Sequence, residues 1–299
     1  MVANMMSKLR SEHEIMKCWS GQRDIVVSIS CITYNHEMYI AECLNSLINQ
    51  KFDHPFEILI NDDCSTDNTK NIIEKYASTY PNIIKAIYQT ENQMSRDIYQ
   101  SMHGKYNVKR AVGKYVFFCD GDDFWIDDEK LRKQTEVLEQ TDAKLCFHSC
   151  YQLSKGSYSL FNPYGQKKRS ISFVQKFRDG SDTCPSASIA IERSYLMSAE
   201  DHISEFIENI LSHSFIQYWG CLEKNGIYLP NAMSVYRKNI EGSWTKKIQD
   251  RKLGKRYQKR NIEYLLKFTK LVAFPKSLIV WRRIIRLTFT YCLKQILLK

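Results

Sequence analysis

The sequence lacks a long apolar run. No stretch of about 18 uncharged apolar residues occurs in its 299 residues, so it predicts no membrane-spanning helix. Glycine and proline are scarce, at 11 and 6 residues, which excludes collagen-like and Pro/Gly-rich low-complexity chains. The N-terminal segment is polar and charged and has no apolar stretch of the kind found in signal peptides. The sequence therefore predicts a cytoplasmic globular protein of one large or two small domains.

The ten cysteines do not indicate an oxidising compartment. They are scattered through apolar stretches, and no export signal accompanies them. We therefore expect reduced thiols that are mostly buried. Cys146, His148 and Cys150 have the spacing of one face of a strand, and no second pair of ligand residues follows. This pattern favours a core strand over a zinc site.

Acidic residues are fewer than basic residues in this chain. There are 33 Asp and Glu residues against 43 Lys and Arg, which gives a net charge of +10. Such a surplus indicates an anionic partner. A dinucleotide-binding glycine fingerprint, a P-loop and a recognised nucleic-acid-binding motif are all missing from the sequence. We therefore expect no nucleic-acid partner, and an anionic lipid surface or a phosphorylated substrate is favoured.

Short apolar strands alternate with amphipathic helices in the first half of the chain. The patterns predict strands over residues 24–33, 56–60, 83–88, 115–119 and 144–150, and helices over residues 35–49, 68–80 and 128–140. This alternation predicts an α/β fold with a mostly parallel sheet. Residues 151–182 are polar and irregular, and we expect a loop-rich acceptor side there. From residue 246 onward the chain is basic and helical.

Polar clusters follow three of the predicted strands. They are Thr33-Tyr34-Asn35, Asp62-Asp63 and Asp120-Gly121-Asp122-Asp123. Ligands of open α/β sheets bind at the carboxyl edge of the strands, although turn formation alone also places Asp and Asn at strand ends. Three carboxylates within four residues repel one another unless a cation neutralises them. Oxygen ligands of this kind suit Mg²⁺ or Mn²⁺ beside substrate phosphates.

Four segments, in order, give the chain a resemblance to a known family. They read ISCITYNHEMYIAECLNSLINQ, EILINDDCSTDNT, GKYVFFCDGDDFWIDDEKLRKQ and MSVYRKNIEGSWT. The chain resembles the inverting glycosyltransferases of family 2 over residues 27–140 and, more weakly, over residues 185–245. The resemblance implies a GT-A fold, in which helices flank a Rossmann-like, mostly parallel sheet. It also implies transfer of a sugar from a nucleotide sugar, a UDP-sugar, to a glycan or lipid-linked acceptor in bacterial surface polysaccharide biosynthesis.

The resemblance implies roles for the residues after the first two strands. Thr33 and Tyr34 would lie against the nucleotide base and ribose. Asp63, together with Asp62, would accept the base N–H of a uracil. His36 follows the first strand directly, and we interpret it as a residue of the helix start.

Further roles implied by the resemblance concern the metal and the diphosphate. Asp120 and Asp122 match the DXD motif, in which one carboxylate reaches the ribose or a metal-bound water and the other ligates the divalent metal. Arg96 precedes the motif where family members contact phosphate, and Arg237 could pair with phosphate as well. A solvated basic surface is the alternative for Arg96 and its neighbours Lys109 and Arg110, and a pairing with a surface carboxylate is the alternative for Arg237.

The general base is where this sequence departs from the family. The family places an Asp or Glu some ten residues before a small glycine turn, and that residue takes the acceptor proton. Counting back from Gly226 reaches Phe215, and no acid stands there. His213 is the nearest group able to accept a proton near neutral pH. Further back lie Asp201, Glu205 and Glu208. A chain in which neither His213 nor one of these acids serves would be a degenerate, non-catalytic homologue that binds nucleotide sugar or docks at a membrane.

The C-terminal segment has an amphipathic pattern with arginines in its middle. On a helical wheel Arg282, Arg283, Arg286, Thr290 and Lys294 gather on one side. The opposing arc is apolar and holds Val280, Trp281, Ile284, Ile285, Leu287, Phe289 and Tyr291. The pattern is typical of an interfacial helix on an anionic membrane, with Trp281 and Tyr291 near the headgroups. The alternative is a helix packed on the catalytic domain.

The sequence thus predicts three regions. Residues 1–24 are an N-terminal extension, residues 25–245 a GT-A glycosyltransferase domain, and residues 246–299 a basic amphipathic helical region. The expected partners are a nucleotide-sugar donor, a glycan or glycolipid acceptor, and an anionic membrane surface contacted by the C-terminal helix. The expected location is the cytoplasm, peripherally on the inner face of the cell membrane.

Overall fold

A computed structural model describes residues 9–19, 21, 23–97, 101–180, 183–240 and 250–296, with side chains except at 251, 252 and 292–296. The strands β1 to β10 are, in chain order, Val27–Thr33, Phe56–Asp62, Ile84–Tyr88, Tyr115–Asp120, Phe124–Trp125, Leu145–Ser154, Ser157–Phe161, Arg169–Ile171, Ala190–Glu192 and Gly226–Arg237. The helices α1 to α10 are Glu12–Lys17, Ile40–Ile48, Thr69–Thr79, Gln93–Arg96, Lys130–Gln140, Phe173–Asp179, Arg193–Met197, His213–Gly220, Arg251–Phe268 and Ser277–Ile296.

One sheet runs through the molecule in the order β3-β2-β1-β4-β9-β6-β10-β5, with β7 on β6 and β8 on β10. The neighbours β3, β2, β1 and β4 are parallel, and β6 and β10 are parallel to each other. The short strand β9 lies between these two parts and is antiparallel to β4 and to β6. The predicted α/β fold with helices around a mostly parallel sheet is confirmed.

Two apolar clusters cover the two faces of the sheet. Strand β4 contributes to both because its side chains alternate. Phe117 and Cys119 pack in one cluster with the helices α1 and α2, whereas Val116 and Phe118 pack in the other with α6 and α8. A strand that is apolar on both faces is the pattern of a buried parallel strand. The strand therefore has little freedom to move, and the acidic turn that follows it is held on a rigid support.

The predicted core strand over residues 144–150 is confirmed as the first part of β6. Cys146, His148 and Cys150 are buried there, so the zinc interpretation is not supported. The one group of three or more closely spaced candidate metal ligands in the described residues lies elsewhere in the fold. The nine cysteines with described side chains are free thiols, and seven of them are buried, as the sequence predicts.

The expectation of a loop-rich region over residues 151–182 was wrong. The chain there forms β7, β8 and α6. Strands β6 and β7 form a hairpin that turns at Lys155 and Gly156, and both residues have positive φ angles, as a two-residue type I′ turn requires. Phe173 and Phe177 of α6 are buried in the apolar core. The polar composition hid these elements because the hairpin is exposed and the helix has only two turns.

The C-terminal helices pack on the domain. Phe268 of α9 and Val280 and Ile284 of α10 are buried in the same apolar cluster as Phe118. Arg283 also turns inward, because its Nη1 donates to the backbone oxygen of Phe177 at 2.8 Å. The packed alternative for the C-terminal helix is therefore correct for this face. Residues 241–245, the end of the fourth sequence motif, and the side chain of Lys294 lie outside the described residues.

The opposite side of the C-terminal region carries large apolar side chains that face solvent. We call this set the apolar stripe; it consists of Phe274, Leu278, Trp281, Ile285 and Phe289, which are 78, 52, 44, 65 and 64% exposed. Arg282 and Arg286 are exposed beside it. The apolar arc of the helical wheel is thus divided between the core and the solvent. Among the described residues, no helix has the length and hydropathy needed to cross a bilayer.

Candidate active site

The polar clusters of the sequence meet at one edge of the sheet. Thr33 is paired with Asp62 across β1 and β2, and Ile32 is paired with Asp120 across β1 and β4. Parallel strands in this register end at the same level. The loops after β1, β2 and β4 therefore share one surface at the carboxyl edge of the sheet, where open α/β sheets bind ligands.

Three carboxylates are concentrated in the turn after β4. Asp120, Asp122 and Asp123 each place an oxygen within 4.8 Å of the others. Burial and then the charge of Asp120 raise the pKa of Asp122 to about 7. Burial, followed by the charges of Asp122 and Asp120, raises the pKa of Asp123 well above its ordinary value. A cation between these carboxylates would remove the repulsion.

Asp120 is the most constrained of the three carboxylates. Its Oδ1 lies 2.8 Å from Nε2 of His103, and its Oδ2 accepts from the hydroxyl of Ser186 at 2.8 Å. The other ring nitrogen of His103 lies 2.7 Å from the hydroxyl of Ser30 on β1. Burial opposes ionisation of Asp120, but the hydrogen bonds and the charge of His103 outweigh it, so the pKa of Asp120 is lowered. Asp120 is therefore an oriented, ionised carboxylate.

Arg237, at the end of β10, holds the acidic turn. Its backbone N–H donates to Oδ1 of Asp123 at 2.9 Å, and its guanidinium donates to the backbone oxygen of Asp122 and to the carboxylate of Glu42. The guanidinium also lies 4.8 and 4.6 Å from the ring centroids of Tyr39 and Phe124. The side chain is only 8% exposed. The structure thus ties Arg237 to the turn and to aromatic rings on either side of it.

The donor set of this turn fits a hard divalent cation. Carboxylate oxygens are the ligands that Mg²⁺ and Mn²⁺ take in proteins. In addition, Oδ2 of Asp123 is buried and has no hydrogen-bond partner among the described residues, as expected of an oxygen next to an ion. Asp120 and Asp122 are the residues that could hold the metal, with Asp123 behind them.

Asp62 and Asp63 organise the loops beside this turn. Asp62 is buried and accepts from the backbone N–H of Ser65 at 3.2 Å and from its hydroxyl. Asp63 accepts from the backbone N–H groups of Gln93 and Met94 at 2.7 and 3.0 Å. Burial raises the pKa of Asp62 despite its bonds to Ser65. Asp62 thus holds the loop after β2 to itself, and Asp63 ties that loop to α4.

The loop after β1 lies against the acidic turn. Thr33 is buried, and Tyr34 next to it is partly exposed. A Cβ atom at Gly121 would lie 2.7 Å from Oγ1 of Thr33 and 3.1 Å from Nδ1 of His36. These distances are too short for a side chain. The middle position of the DXD motif has to be glycine here because Thr33 and His36 fill the space above it.

The basic residues before β4 have protein partners. Arg96 is 66% exposed and pairs with Glu91 at 2.5 Å. Lys109 pairs with Glu208 at 2.5 Å, and Arg110 donates to the backbone oxygens of Ile60 and Lys85. Arg96, at the end of α4, is the most exposed of the three and the least anchored to the backbone.

The structure separates the candidates for the general base. His213 is the first residue of α8, and its charge lowers the pKa of Asp120. Glu208 pairs with Lys109, Glu205 accepts from the side chain of Asn209 at 2.9 Å, and Asp201 is exposed. Among these candidates in the described part of the chain, the structure links His213 to the acidic turn, whereas Glu208 and Glu205 pair elsewhere.

Sequence reasoning missed the role of three residues at the site. His103 and Ser186 contact Asp120, and His36, interpreted as a helix-start residue, has its Nε2 4.0 Å from Oδ2 of Asp122. His103 lies in a short π-helical turn and Ser186 in a short 3₁₀ turn. Turns this short have no periodic sequence pattern that would predict them. The signal for His36 was its position within three residues of the end of β1.

A match to a protein-family model assigns the chain to a family. The model described as glycosyl transferase family 2 matches residues 28–197, which include the strands and turns of this site. The match covers more than half of the chain. The chain belongs to glycosyl transferase family 2.

Curated relatives in the family are similar over parts of the chain. An uncharacterised protein of Mycobacterium tuberculosis is 28% identical over 231 residues, which are 76% of this chain and 62% of that protein. The chain thus spans less than two thirds of this relative's own length. The poly(ribitol-phosphate) β-N-acetylglucosaminyltransferase TarS of Staphylococcus aureus is 33% identical over 38% of this chain and 19% of its own length. The dTDP-rhamnosyl transferase RfbG of Shigella flexneri is 37% identical over 39% of each chain.

Solved structures share the fold. TarS 1-349 of Staphylococcus aureus in complex with UDP-GlcNAc has a TM-score of 0.65 at 19% identity, over 89% of this chain and 73% of that one. The mannosyltransferase PcManGT of Pyrobaculum calidifontis, in complex with GDP-Man and Mn²⁺, has a TM-score of 0.55 at 16% identity, over 91% of this chain and 75% of that one. At these identities the likeness shows the fold, which is of the GT-A type.

Proposed function

We propose that this family 2 protein is a glycosyltransferase. It would transfer a sugar, with inversion, from a UDP-sugar to a glycan or lipid-linked acceptor in cell-surface polysaccharide biosynthesis. The observation that carries the proposal is the cluster of Asp120, Asp122 and Asp123 at the carboxyl edge that Thr33 and Asp62 share. The similarity to TarS and RfbG, both named as sugar transferases, supports the reaction class, and the UDP-GlcNAc complex of TarS supports the donor class.

The residues of the edge divide into a nucleotide part and a metal part. We assign Thr33, Tyr34, Asp62 and Asp63 to the base and ribose, because they follow the strands next to the acidic turn. Arg96 and Arg237 would serve the diphosphate, Arg96 by turning from Glu91 and Arg237 by holding the turn that faces it.

Asp120 and Asp122 would hold a divalent metal, Mg²⁺ or Mn²⁺. When bound, the metal neutralises the charge that develops on the leaving nucleoside diphosphate. The protein's own part is to orient Asp120, through His103 and Ser186, and to keep the acidic turn in place through Arg237. These contacts come from the protein's own groups and hold the carboxylates in defined orientations.

His213 is proposed as the general base. The acceptor hydroxyl would attack the anomeric carbon, the bond from that carbon to the diphosphate oxygen would break, and His213 would take the hydroxyl proton. Its position at the start of α8 and the effect of its charge, which lowers the pKa of Asp120, support this role.

A thermal-shift titration tests the donor class. The protein would be melted with UDP, GDP or CDP and their common sugar conjugates, each with Mn²⁺, Mg²⁺ or EDTA. A ligand that binds only the folded state raises the melting temperature. We expect a metal-dependent rise with uridine nucleotides. A rise with GDP-sugars alone would contradict the donor assignment, and no rise with any nucleotide would contradict the donor site itself.

Turnover of the donor tests the reaction. Asp122→Asn should lower nucleotide release from the UDP-sugar at least about 100-fold and retain the fold, because it removes a charge that the transition state needs. Asp142→Asn is the matched control, since Asp142 is exposed and pairs with Lys224 on the surface. Donor binding without transfer to any acceptor in a broad screen would support the non-catalytic alternative.

We further propose that the apolar stripe rests on an anionic membrane. Five large apolar side chains, Phe274 to Phe289, face solvent with Arg282 and Arg286 beside them, while the other face of the same helix is buried. Apolar side chains flanked by arginines are the composition of interfacial membrane helices. The net charge of +10 favours anionic lipid.

Vesicle sedimentation tests this surface. The full chain should sediment with vesicles that contain phosphatidylglycerol and stay in solution with phosphatidylcholine alone. A Trp281→Ser, Ile285→Ser double variant should lose at least about 80% of the bound fraction. Tyr158→Ser, Leu160→Ser is the matched control, because these hairpin residues are exposed to a similar degree. Unchanged binding of the stripe variant, or self-association that the stripe variant abolishes, would overturn the proposal.

A further inference from the structure

His36 is placed beside the acidic turn by a loop with little freedom. The residue before it, Asn35, has a φ angle of 53°, and its backbone N–H donates to the hydroxyl of Ser65 at 2.9 Å. The N–H of His36 itself donates to Oγ1 of Thr69 at 2.8 Å. The loop after β1 is thus fastened to the segment after β2, so the backbone of His36 is fixed relative to the sheet edge.

The imidazole of His36 is also oriented. Nδ1 lies 3.1 Å from the hydroxyl of the buried Thr33, and the ring meets that of Tyr39 edge to face with 6.3 Å between centroids. Gly121 leaves the space that the ring occupies. A histidine whose one nitrogen is held by a hydrogen bond presents the other nitrogen in a defined direction, as metal-ligating histidines do.

The other ring nitrogen of His36, Nε2, lies near Asp122. Nε2 of His36 lies 4.0 Å from Oδ2 of Asp122. A direct hydrogen bond between them would need about 2.7–3.2 Å. Two ligands of one divalent ion, each bonded at about 2.0–2.2 Å, lie at most roughly 4.2–4.4 Å apart. The observed separation is therefore too long for a hydrogen bond and short enough for two ligands of the same ion.

The hydrogen bonds of Asp120 bear on which other residues could ligate a metal together with Asp122. Both carboxylate oxygens of Asp120 already accept hydrogen bonds, one from His103 and one from Ser186. A metal bound to Asp120 would use the second lone pair of an oxygen whose orientation these bonds already fix, and a divalent ion takes further ligands besides Asp120 and Asp122. His36, in the loop after β1, is a candidate for such a ligand because its Nε2 lies near Asp122.

We propose that His36 ligates the donor-site metal through Nε2 together with Asp122, and that this nitrogen makes the site prefer Mn²⁺ to Mg²⁺. The inference rests on the proposed metal-dependent function and extends it to a ligand outside the DXD motif. Mg²⁺ is a hard cation that takes oxygen ligands in near-ideal octahedra, whereas imidazole nitrogen suits transition metals. Replacing one oxygen by nitrogen therefore lowers the affinity for Mg²⁺ more than that for Mn²⁺.

Electron paramagnetic resonance tests the ligation directly. Mn²⁺ is titrated into the full chain in the presence of UDP, and electron spin echo modulation is recorded for a directly bonded ¹⁴N. We expect the nitrogen modulation in the wild type and its loss in His36→Gln. The same substitution should weaken Mn²⁺ binding at least about tenfold and change Mg²⁺ binding less than about threefold, because the glutamine oxygen can replace the nitrogen for Mg²⁺.

Two further variants separate the outcomes. His54→Gln is the control, since His54 pairs with Asp53 away from the acidic turn. Asp122→Asn should abolish Mn²⁺ binding. If Asp122→Asn loses Mn²⁺ while His36→Gln retains affinity and nitrogen modulation, the metal site stands and the role of His36 is overturned. If the wild type binds no Mn²⁺ with UDP or with GDP, the metal-dependent function falls and this inference falls with it. Melting curves of each variant verify the fold.

Discussion

Single residues at the carboxyl edge are constrained by their neighbours more than by their own chemistry. Gly121 is the clearest case, because Thr33 and His36 occupy the space where a Cβ atom would be. The glycine between two aspartates is thus a packing requirement of the loop after β1. The residues that we assign to the nucleotide and those that we assign to the metal would meet at this glycine.

Replacement of that glycine should damage binding. Gly121→Ala brings a methyl group to 2.7 Å from Oγ1 of Thr33, so the loop after β1 has to move by several tenths of an ångström. We expect at least about a tenfold loss of UDP affinity, because ligand groups must be held to within about 0.5 Å. Isothermal titration with UDP and Mn²⁺ measures it. Wild-type affinity in Gly121→Ala would show that Thr33 does not position the donor.

Lys130, at the start of α5, is buried in the core on the other side of β4. Its ammonium lies 3.9 and 4.7 Å from the ring centroids of Trp125 and Phe117, and its Nζ has no hydrogen-bond partner among the described residues. Burial lowers its pKa to about 7. The unfolded chain, with its ordinary pKa, binds more protons between pH 7 and about 10.5. This residue therefore destabilises the fold at pH 7, and its cost falls as the pH rises.

Lys130→Met should stabilise the protein. The variant keeps the volume and removes the proton linkage, so we expect the free energy of unfolding at pH 7 to rise by about 2–4 kcal/mol. The gain over the wild type should shrink by about 3 kcal/mol between pH 7 and pH 9.5, because the proton that Lys130 loses on folding is released at a smaller free-energy cost as the pH rises. Urea unfolding of both proteins at the two pH values measures this. A gain that does not depend on pH would mean that Lys130 stays charged in the core.

Residue-level prediction from the sequence was good for the acidic turn and poor for its surroundings. Asp120 and Asp122 stand out in the sequence because three carboxylates in four residues are costly without a ligand. His103 lies 17 positions before Asp120 and Ser186 lies 66 positions after it, so their contacts with Asp120 are set by tertiary structure. Arg237 illustrates the same limit, since its contacts with Tyr39 and Glu42 join residues far apart in the sequence.

At the scale of elements, the buried parallel strands were predictable and the exposed ones were not. β1, β2 and β4 are continuous apolar runs that end in polar clusters, and the sequence places them within three residues of their observed bounds. β7 has a mostly exposed surface and lacks such a run. The polar segment over residues 151–182 therefore read as loop, although the turn at Lys155-Gly156 could have indicated the hairpin.

The helix α10 illustrates a different limit of pattern reading. A helical wheel groups all apolar residues of one arc, but the fold divides that arc, burying Val280 and Ile284 and exposing Trp281 and Ile285. Which part of a wide apolar arc meets the protein depends on what the domain offers opposite. The position of Arg283, over the rings of Phe177 and Tyr218, marks the boundary between the two parts.

Two adjacent isoleucines of α10 test this division. Ile284 is 5% exposed and Ile285 is 65% exposed. Ile284→Ala should lower the free energy of unfolding by about 2–4 kcal/mol, because it leaves a cavity in the core. Ile285→Ala is the matched control and should change it by less than about 1 kcal/mol. Equal effects of the two substitutions, measured by urea unfolding, would contradict the packing of α10.

At the scale of the whole molecule, part of the surplus of positive charge lies on the two C-terminal helices. Exposed basic residues of α9 and α10, Arg256, Lys259, Lys267, Arg282 and Arg286, lie in the same region as the apolar stripe. The carboxylates of the acidic turn lie at the sheet edge instead. Separation of the two charges would let one surface approach anionic lipid while another receives a metal with an anionic donor.

Salt should weaken the proposed membrane contact in a graded way. Raising the salt concentration from 0.05 to 0.5 M shortens the Debye length from roughly 14 to 4 Å, so the attraction of exposed arginines to anionic lipid is screened. We expect the partition coefficient on phosphatidylglycerol vesicles to fall at least about tenfold, with residual binding from the apolar stripe. Binding that does not respond to salt would leave the apolar side chains as the sole contact.

The burial of α10 in the catalytic core has a consequence for synthesis on the ribosome. Val280 and Ile284 belong to the apolar cluster that includes Phe118, two residues before Asp120. A chain is made from its N-terminus, and domains fold as units as they emerge. The cluster behind the acidic turn therefore remains open until residue 284 has left the exit tunnel, although every residue of the DXD motif was made more than 160 codons earlier. A ribosome stalled before Ser277 would hold a chain whose motif is complete and whose core is not.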